Sequence, residues 1–343
     1  MIHNTDKQLK RVAKELDNYS WLNTQLPKLI KNATDLINIC PEERKVHGWT
    51  ALKLIALLYY VGVYTSIIPK YFDKMYYLDL FSGCGINRVR KRNDILMGSP
   101  IIAGWFARKP FDKMFLIESK RNLRSCLRTR LNFLKSQLNI QEFEVIEAET
   151  VDCNQNIDDI IPVLDKNHYL AFIDPEGMQV NWATMLKLLR LNGDLIIRFP
   201  TAEIRRVWRA AAKEKWEDRS ANNIKALIRF FGKSITNDVI RKLRDIDLLT
   251  KYMDQLRQNG REIVKNITIK GDNDYHYDLI YAVRATPGGS PWMEAVDNLK
   301  RRIERFSGKA VERALDVWAG RAWDLPWFFS KESPSTKSLD NYP

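Results

Sequence analysis

The chain has 343 residues, 45% of them hydrophobic, and a formal net charge of +13. Its length exceeds one average domain and its apolar share suits a globular fold with a large core, which excludes a disordered or low-complexity chain. The positive excess points to a polyanionic partner, nucleic acid (DNA or RNA) before a membrane surface, because Lys and Arg that neutralise phosphates release counterions and dominate such affinity.

Residues 1–73 read as a helical N-terminal region. It opens without a basic-then-apolar export signal. The four cysteines (Cys40, Cys84, Cys126 and Cys153) are scattered, with no C-x-x-C pair and no Cys/His cluster suited to zinc. A reducing, cytoplasmic location and no metal are expected. Leu52, Ile55, Ala56 and Tyr59 follow the i, i+3, i+4, i+7 pattern of an amphipathic helix. The apolar run at 54–68 is shorter than the ~20 residues that span a bilayer and carries Tyr59, Tyr60 and Tyr64. A buried helix ended by Pro69 is expected, and no membrane partner.

A core over 74–200 follows, with strands near 76–80, 113–117, 143–146, 168–173 and 194–199 and helices at 101–107, 123–134 and 182–191. Such alternation predicts a parallel sheet covered by helices on both faces. Asn192-Gly193 is a helix stop before the fifth strand. Residues 201–260 are helical and polar, too long for a bare loop, and read as an insertion for substrate recognition. Over 261–286 two alternating strands return around the turn-forming run Lys270-Gly271-Asp272-Asn273-Asp274. They close the sheet as an antiparallel hairpin. Helices are expected at 287–329 and a disordered polar tail at 330–343.

The strand Tyr77-Leu78-Asp79-Leu80 runs into Phe81-Ser82-Gly83-Cys84-Gly85. Gly83 and Gly85 lack a Cβ, so the backbone there can take positive φ and bring its N–H groups close to a ligand. Such a turn lies at the carboxyl end of the first strand, where open sheets bind ligands. Arg88 stands where a dinucleotide fingerprint needs a third small residue, which argues against a pyrophosphate cofactor. The Asp79-x-Phe81-x-Gly83-x-Gly85 pattern instead resembles the first motif of S-adenosylmethionine-dependent methyltransferases. One βαβ unit later, at a spacing of ~30 residues, the strand 113–117 ends in Glu118, placed to accept from both ribose hydroxyls. The third strand is followed by Glu147, Glu149 and Asp152, of which Asp152 is assigned to the adenine amino group. The fourth runs into Asp174-Pro175-Glu176-Gly177, where Pro175 stops the ladder and Asp174 lies beside the methyl group. The implied fold class is α/β: a Rossmann-like class I methyltransferase fold with a mostly parallel seven-stranded sheet and an antiparallel last strand, plus the helical N-terminal region and helical insertion. The cofactor is S-adenosylmethionine.

Over roughly 49–300 the chain resembles the three-Cys-motif partner protein family (TcmP), predicted methyltransferase-like proteins. The likeness rests on Trp49-Thr50-x-x-Lys53, the turn at 77–85, Gly98-Ser99-Pro100, Phe115-Leu116-Ile117-Glu118, Asp152-x-Asn154, Phe172-Ile173-Asp174-Pro175-x-Gly177 and the strand Tyr277-Asp278-Leu279-Ile280-Tyr281-Ala282. It implies a separate three-cysteine-motif protein as a partner. The chain departs from the family turn at Leu80, Ser82 and Cys84, and has Glu176 where an aromatic is common.

Two target chemistries are open. In amino-methylating nucleic-acid enzymes a loop like Asp174-Pro175 accepts hydrogen bonds from an exocyclic amine while an aromatic stacks on the extruded base. Glu176 stands at the aromatic position, and Trp182 and Phe199 suit core packing better than stacking. Ribose 2′-O methylation instead needs a cation and carboxylates around a hydroxyl, which Lys53, Asp174, Arg198 and Glu203 could supply. The catalytic candidates are therefore Asp174, Pro175 and Lys53, since Arg198 keeps its charge and cannot act as a base. Cytosine C5 methylation is discounted, because no cysteine nucleophile follows the fourth strand. Two basic patches suit nucleic acid: Arg88, Arg90, Lys91 and Arg92 after the turn, and Arg205, Arg209 and Lys213 on one helix face. Trp208 and Trp216 interleave with the second and could stack on bases or pack in the core. The rival reading is a non-catalytic nucleic-acid-binding partner subunit that kept the fold, and a small-molecule methyltransferase is third.

Overall fold

The computed structural model describes residues 19–135, 137, 140–147, 153–165, 167–212, 218–236, 239, 247–286 and 290–322. The strands in chain order are β1 (Arg44–Val46), β2 (Met75–Asp79), β3 (Ile86–Val89), β4 (Ile95–Met97), β5 (Lys113–Glu118), β6 (Phe143–Glu147), β7 (His168–Ile173), β8 (Gly193–Phe199), β9 (Ile263–Lys270) and β10 (His276–Val283). Seven of them form one sheet in the order β6-β5-β2-β7-β8-β10-β9. Neighbours from β6 to β8 are parallel, and β10 runs antiparallel to both β8 and β9. The α/β reading, the mostly parallel sheet and the closing hairpin therefore hold.

The strand order places the site. From β2 the chain moves outward to β5 and β6, then returns to the other side of β2 to lay down β7 and β8. The crevice between the carboxyl ends of β2 and β7 is the switch point where such sheets bind ligands. Side chains alternate across the sheet. Tyr77, Leu116, Phe172 and Ile196 face one buried cluster, and Leu78, Ile117, Ala171 and Ile197 face the other.

The helix Thr50–Ile67 packs on the first of these faces. The span Thr50–Lys70 is long and apolar enough to cross a membrane, yet 72% of its apolar window is buried in the fold. Its polar groups find partners in the sheet: the Tyr60 hydroxyl donates to Asp194 (2.8 Å), and Tyr64 meets His168 Nδ1 (2.8 Å). Burial pulls the His168 imidazole down to about 3, so it is a neutral structural group.

Four features were not foreseen. β1, β3 and β4 make a separate three-stranded sheet beside the turn that follows β2. A helix spans Cys153–Leu164. Cys40 and Cys126, 86 positions apart, are joined by a disulfide, which their scattered spacing does not announce. The insertion after β8 is also less separate than expected. Its helices Thr201–Ala212, Asp218–Phe231 and Asp247–Gln258 bury Trp208, Phe230, Phe231 and Tyr252 in the second cluster. Phe199 of β8 stacks among them, its ring centroid 5.3 Å from Tyr252 and 5.8 Å from Phe230. The tail at 330–343 lies outside the described residues.

Candidate active site

The turn after β2 takes the shape its glycines allow, with φ of +64° at Gly83 and +88° at Gly85. Asp79 organises it from beneath. Its fully buried carboxylate accepts from the Phe81 N–H (3.1 Å) and the Tyr77 hydroxyl (3.2 Å). Burial raises this carboxyl to about 7, against the pull of bonds from Ser99, Phe81 and Tyr77. Glu118, at the end of β5, accepts from the N–H groups of Gly83 (3.0 Å) and Lys120 (2.9 Å), one on each oxygen. Above the turn is a cavity of about 60 Å³ lined by Phe81, Gly83, Gly85, Ser99, Lys53 and Asp174, among others.

At the ends of β7 and β8 four charged side chains from different elements converge. Lys53, from the first turn of its helix, pairs with Asp174. Arg198 approaches the other Asp174 oxygen (Nε to Oδ1, 3.9 Å), donates to the Pro175 carbonyl, and reaches Glu203 (3.4 Å) and the Tyr275 hydroxyl (2.8 Å). The Tyr275 hydroxyl in turn donates to Glu203 (2.8 Å), and the Arg198 guanidinium lies 4.7 Å over the Tyr277 ring. Lys53, Asp174 and Arg198 have side chains only 10–12% exposed. Desolvation lowers the Lys53 pKa below its ordinary value, Asp174 opposes the shift, and Arg198 adds to it. A lysine held this way gives up its proton more readily than one in water. The group opens on a cleft of about 600 Å³ whose other walls include Arg44, His47, Arg90 and Tyr275.

The structure thus gathers Lys53, Asp174 and Pro175 with Arg198 and Glu203 in one cleft, next to Phe81, Gly83 and Gly85. Asp79 and Glu118 sit one layer below, holding the backbone of the turn. Asp152, Lys213 and Trp216 lie outside the described residues. The basic run after the turn does not act as one patch. Arg88 is paired with Glu43 (2.6 Å), and Arg92 with Asp94 (3.1 Å) and Asp316. Lys91 is exposed with a φ of +60°, and Arg90 alone of the run lines the cleft. Arg205 and Arg209 line a separate groove of about 440 Å³. Trp208 is 2% exposed and belongs to the core, so base stacking is corrected to packing there.

Sequence reasoning missed Arg44, His47, Tyr275 and the clamp made by Arg130. That arginine is fully buried and donates to the carbonyls of Leu36 (3.0 Å), Cys84 (2.6 Å) and Glu42 (2.8 Å). It ties the segment leading into β1 to the turn after β2. Arg130 is one of four arginines in the helix Arg121–Leu134, and nothing in the sequence sets it apart.

No family model and no curated protein matches the chain. Among solved structures, a Legionella pneumophila protein of the DUF519 family is 11% identical over 74% of this chain and 92% of its own length, with a TM-score of 0.43. A candidate O-methyltransferase from Klebsiella pneumoniae is 10% identical over 76% of this chain and 99% of its own, with a TM-score of 0.36. A candidate transferase from Pyrococcus horikoshii is 10% identical over 67% of this chain and 64% of its own, with a TM-score of 0.31. Those names belong to those proteins. At these scores the likeness carries no argument about this chain, whose fold stands on its own strand order and register.

Proposed function

We propose that the chain is an S-adenosylmethionine-dependent methyltransferase of the class I type, and that its acceptor is a hydroxyl of nucleic acid, the ribose 2′ oxygen of RNA. The observation that carries this reading is the convergence of Lys53, Asp174, Arg198 and Glu203 at the switch point, beside a turn with two positive-φ glycines. The residues at the turn fit the cofactor. Gly83 carries no side chain over the turn, so only the Arg44 stem covers it, with a Cβ there falling 2.9 Å from Arg44 Cδ. Glu118 accepts from Gly83 on one oxygen and from Lys120 and, at 3.5 Å, the Ser119 hydroxyl on the other, and an ionised carboxylate has about four acceptor sites, so about one stays open for a ribose hydroxyl. Asp152 is proposed for the adenine. When bound, S-adenosylmethionine supplies an electrophilic methyl group.

The chain's own residues prepare the acceptor. Lys53 Nζ takes the proton from the hydroxyl, Asp174 orients Lys53 and stabilises the ammonium that results, and Arg198 offers a fixed positive charge to the developing alkoxide. Glu203 and Tyr275 hold Arg198 in place. Proximity and orientation do the rest. The base-amino alternative is weakened at one atom: the Pro175 carbonyl, needed as an acceptor for the amine, already accepts from Arg198 on one of its two lone pairs. The family resemblance adds a three-cysteine-motif protein as a proposed partner.

The test is methyl transfer from labelled cofactor to an RNA pool and a DNA pool of matched sequence. RNA should be labelled and DNA not. In Lys53→Met, turnover should fall about 10²- to 10⁴-fold, as expected for loss of an acid–base group, while cofactor affinity is kept. Equal labelling of DNA would move the target to a base. Nucleic-acid binding with no transfer to either pool would favour the non-catalytic subunit.

A further inference from the structure

Arg44 lies where the cofactor reading needs an anion receptor. Its stem covers Gly83, so close that a Cβ there would meet Arg44 Cδ at 2.9 Å. It lines both the small cavity over the turn and the larger cleft. Its guanidinium reaches across the mouth to Glu176 (2.9 Å), whose side chain is 77% exposed against 28% for Arg44. The small cavity, about 60 Å³, cannot admit an amino-acid chain while that stem is in place. An ion pair with so exposed a carboxylate contributes little, since water competes for both charges. Exchanging Glu176 for a carboxylate inside the crevice, where screening by water is weaker, is favourable.

We infer that Arg44 is the receptor for the α-carboxylate of the cofactor's methionine end, and that in the free protein it plugs the cradle, held in reserve by Glu176. Seating the cofactor lifts the stem off Gly83 and exchanges one carboxylate partner for another. Glu176 is then a competitor that sets the threshold for binding. The inference rests on the cofactor reading above.

The experiment is calorimetric titration of wild type, Arg44→Ala, Arg44→Lys and Glu176→Gln with two ligands. S-adenosylmethionine carries the carboxylate; 5′-methylthioadenosine keeps the nucleoside and lacks it. Arg44→Ala should weaken S-adenosylmethionine about tenfold or more, as loss of a charged hydrogen bond does, with 5′-methylthioadenosine unchanged. Arg44→Lys should recover part of the loss. Glu176→Gln should tighten S-adenosylmethionine about two- to fivefold, the scale of an exposed ion pair. Both side chains are partly exposed, so the variants should fold, which circular dichroism checks. Unchanged or tighter S-adenosylmethionine binding in Arg44→Ala overturns the inference and leaves the cofactor reading standing, as does an equal loss for both ligands. Failure of wild type to bind either ligand overturns both.

Discussion

Asp79 shows how one buried group shapes the site without entering it. Its carboxyl sits at about 7 in the fold, against 3.8 as an ordinary aspartate, because burial penalises the charge. The folded state therefore binds this proton more tightly than the unfolded chain. The stabilisation is fully present below pH 3.8 and is lost as pH rises through 7. A gap of roughly three units corresponds to at most about 4 kcal/mol. Asp79→Asn keeps the shape, a hydrogen-bond acceptor for Phe81 and no charge. Relative to wild type it should gain stability between pH 5 and pH 8, by about 1–4 kcal/mol, as read from urea unfolding at both values. Parallel pH profiles for the two proteins would refute the linkage. The sequence marks Asp79 as an acid ending an apolar strand, a pattern shared with Glu118 and Asp174, and as the head of the glycine turn where it would hold the methionine end of the cofactor; the structure buries it beneath the turn instead. What separates their roles is depth: Asp79 and Glu118 fall on backbone N–H groups, whereas Asp174 faces cations brought from a distant helix and the next strand.

At the scale of elements, the five parallel strands and the closing hairpin were legible because each is an apolar run bounded by turn chemistry. The small sheet was not. Its strands are three or four residues long, and they hold together through contacts that no local pattern carries. The Gly98 N–H donates to the Gly85 carbonyl (2.6 Å), which bolts the end of β4 to the turn. A Cβ at Gly98 would stand 2.8 Å from Gly85 C and 2.9 Å from its O, backbone that cannot swing aside. Gly98→Ala should lower stability by about 1–3 kcal/mol, the range for overpacking, and weaken cofactor binding, because the displaced atoms belong to the cradle. Thermal unfolding and titration on the same sample check both, and a variant of wild-type stability and affinity would show that β4 is not coupled to the turn. The same non-locality explains why the Arg88–Arg92 run read as a nucleic-acid patch. Two of its partners, Glu43 and Asp316, come from distant parts of the chain, so charge counted along the sequence overstates what the surface offers.

Across the whole molecule, the net charge of +13 is distributed in a way that bears on what lies over the cleft. Arg44, Lys45 and Arg90 line the larger cleft on the β1 side. Arg205, Arg206 and Arg209 line the groove on the helix after β8. The β9–β10 turn joins the two basins, with Asp272 and Asn273 facing the cleft and Asp274 and His276 the groove. A strand laid over that turn would meet cations on both sides and two carboxylates, Asp272 and Asp274, on the turn itself, so on the proposed reading its phosphates fall to either side of the turn. Each phosphate neutralised on a single strand contributes about −0.7 to the slope of log affinity against log salt. Binding of an RNA long enough to cover both basins should therefore weaken steeply with salt. Replacing Arg205, Arg206 and Arg209 together by Ala should flatten the slope by about two units, from up to three lost contacts. Arg90→Ala should flatten it by about one more, with no change in cofactor affinity. A slope unmoved by the triple replacement would make that helix face a solvated surface and confine the polyanion to the larger cleft, where a short substrate would then bind as tightly as a long one.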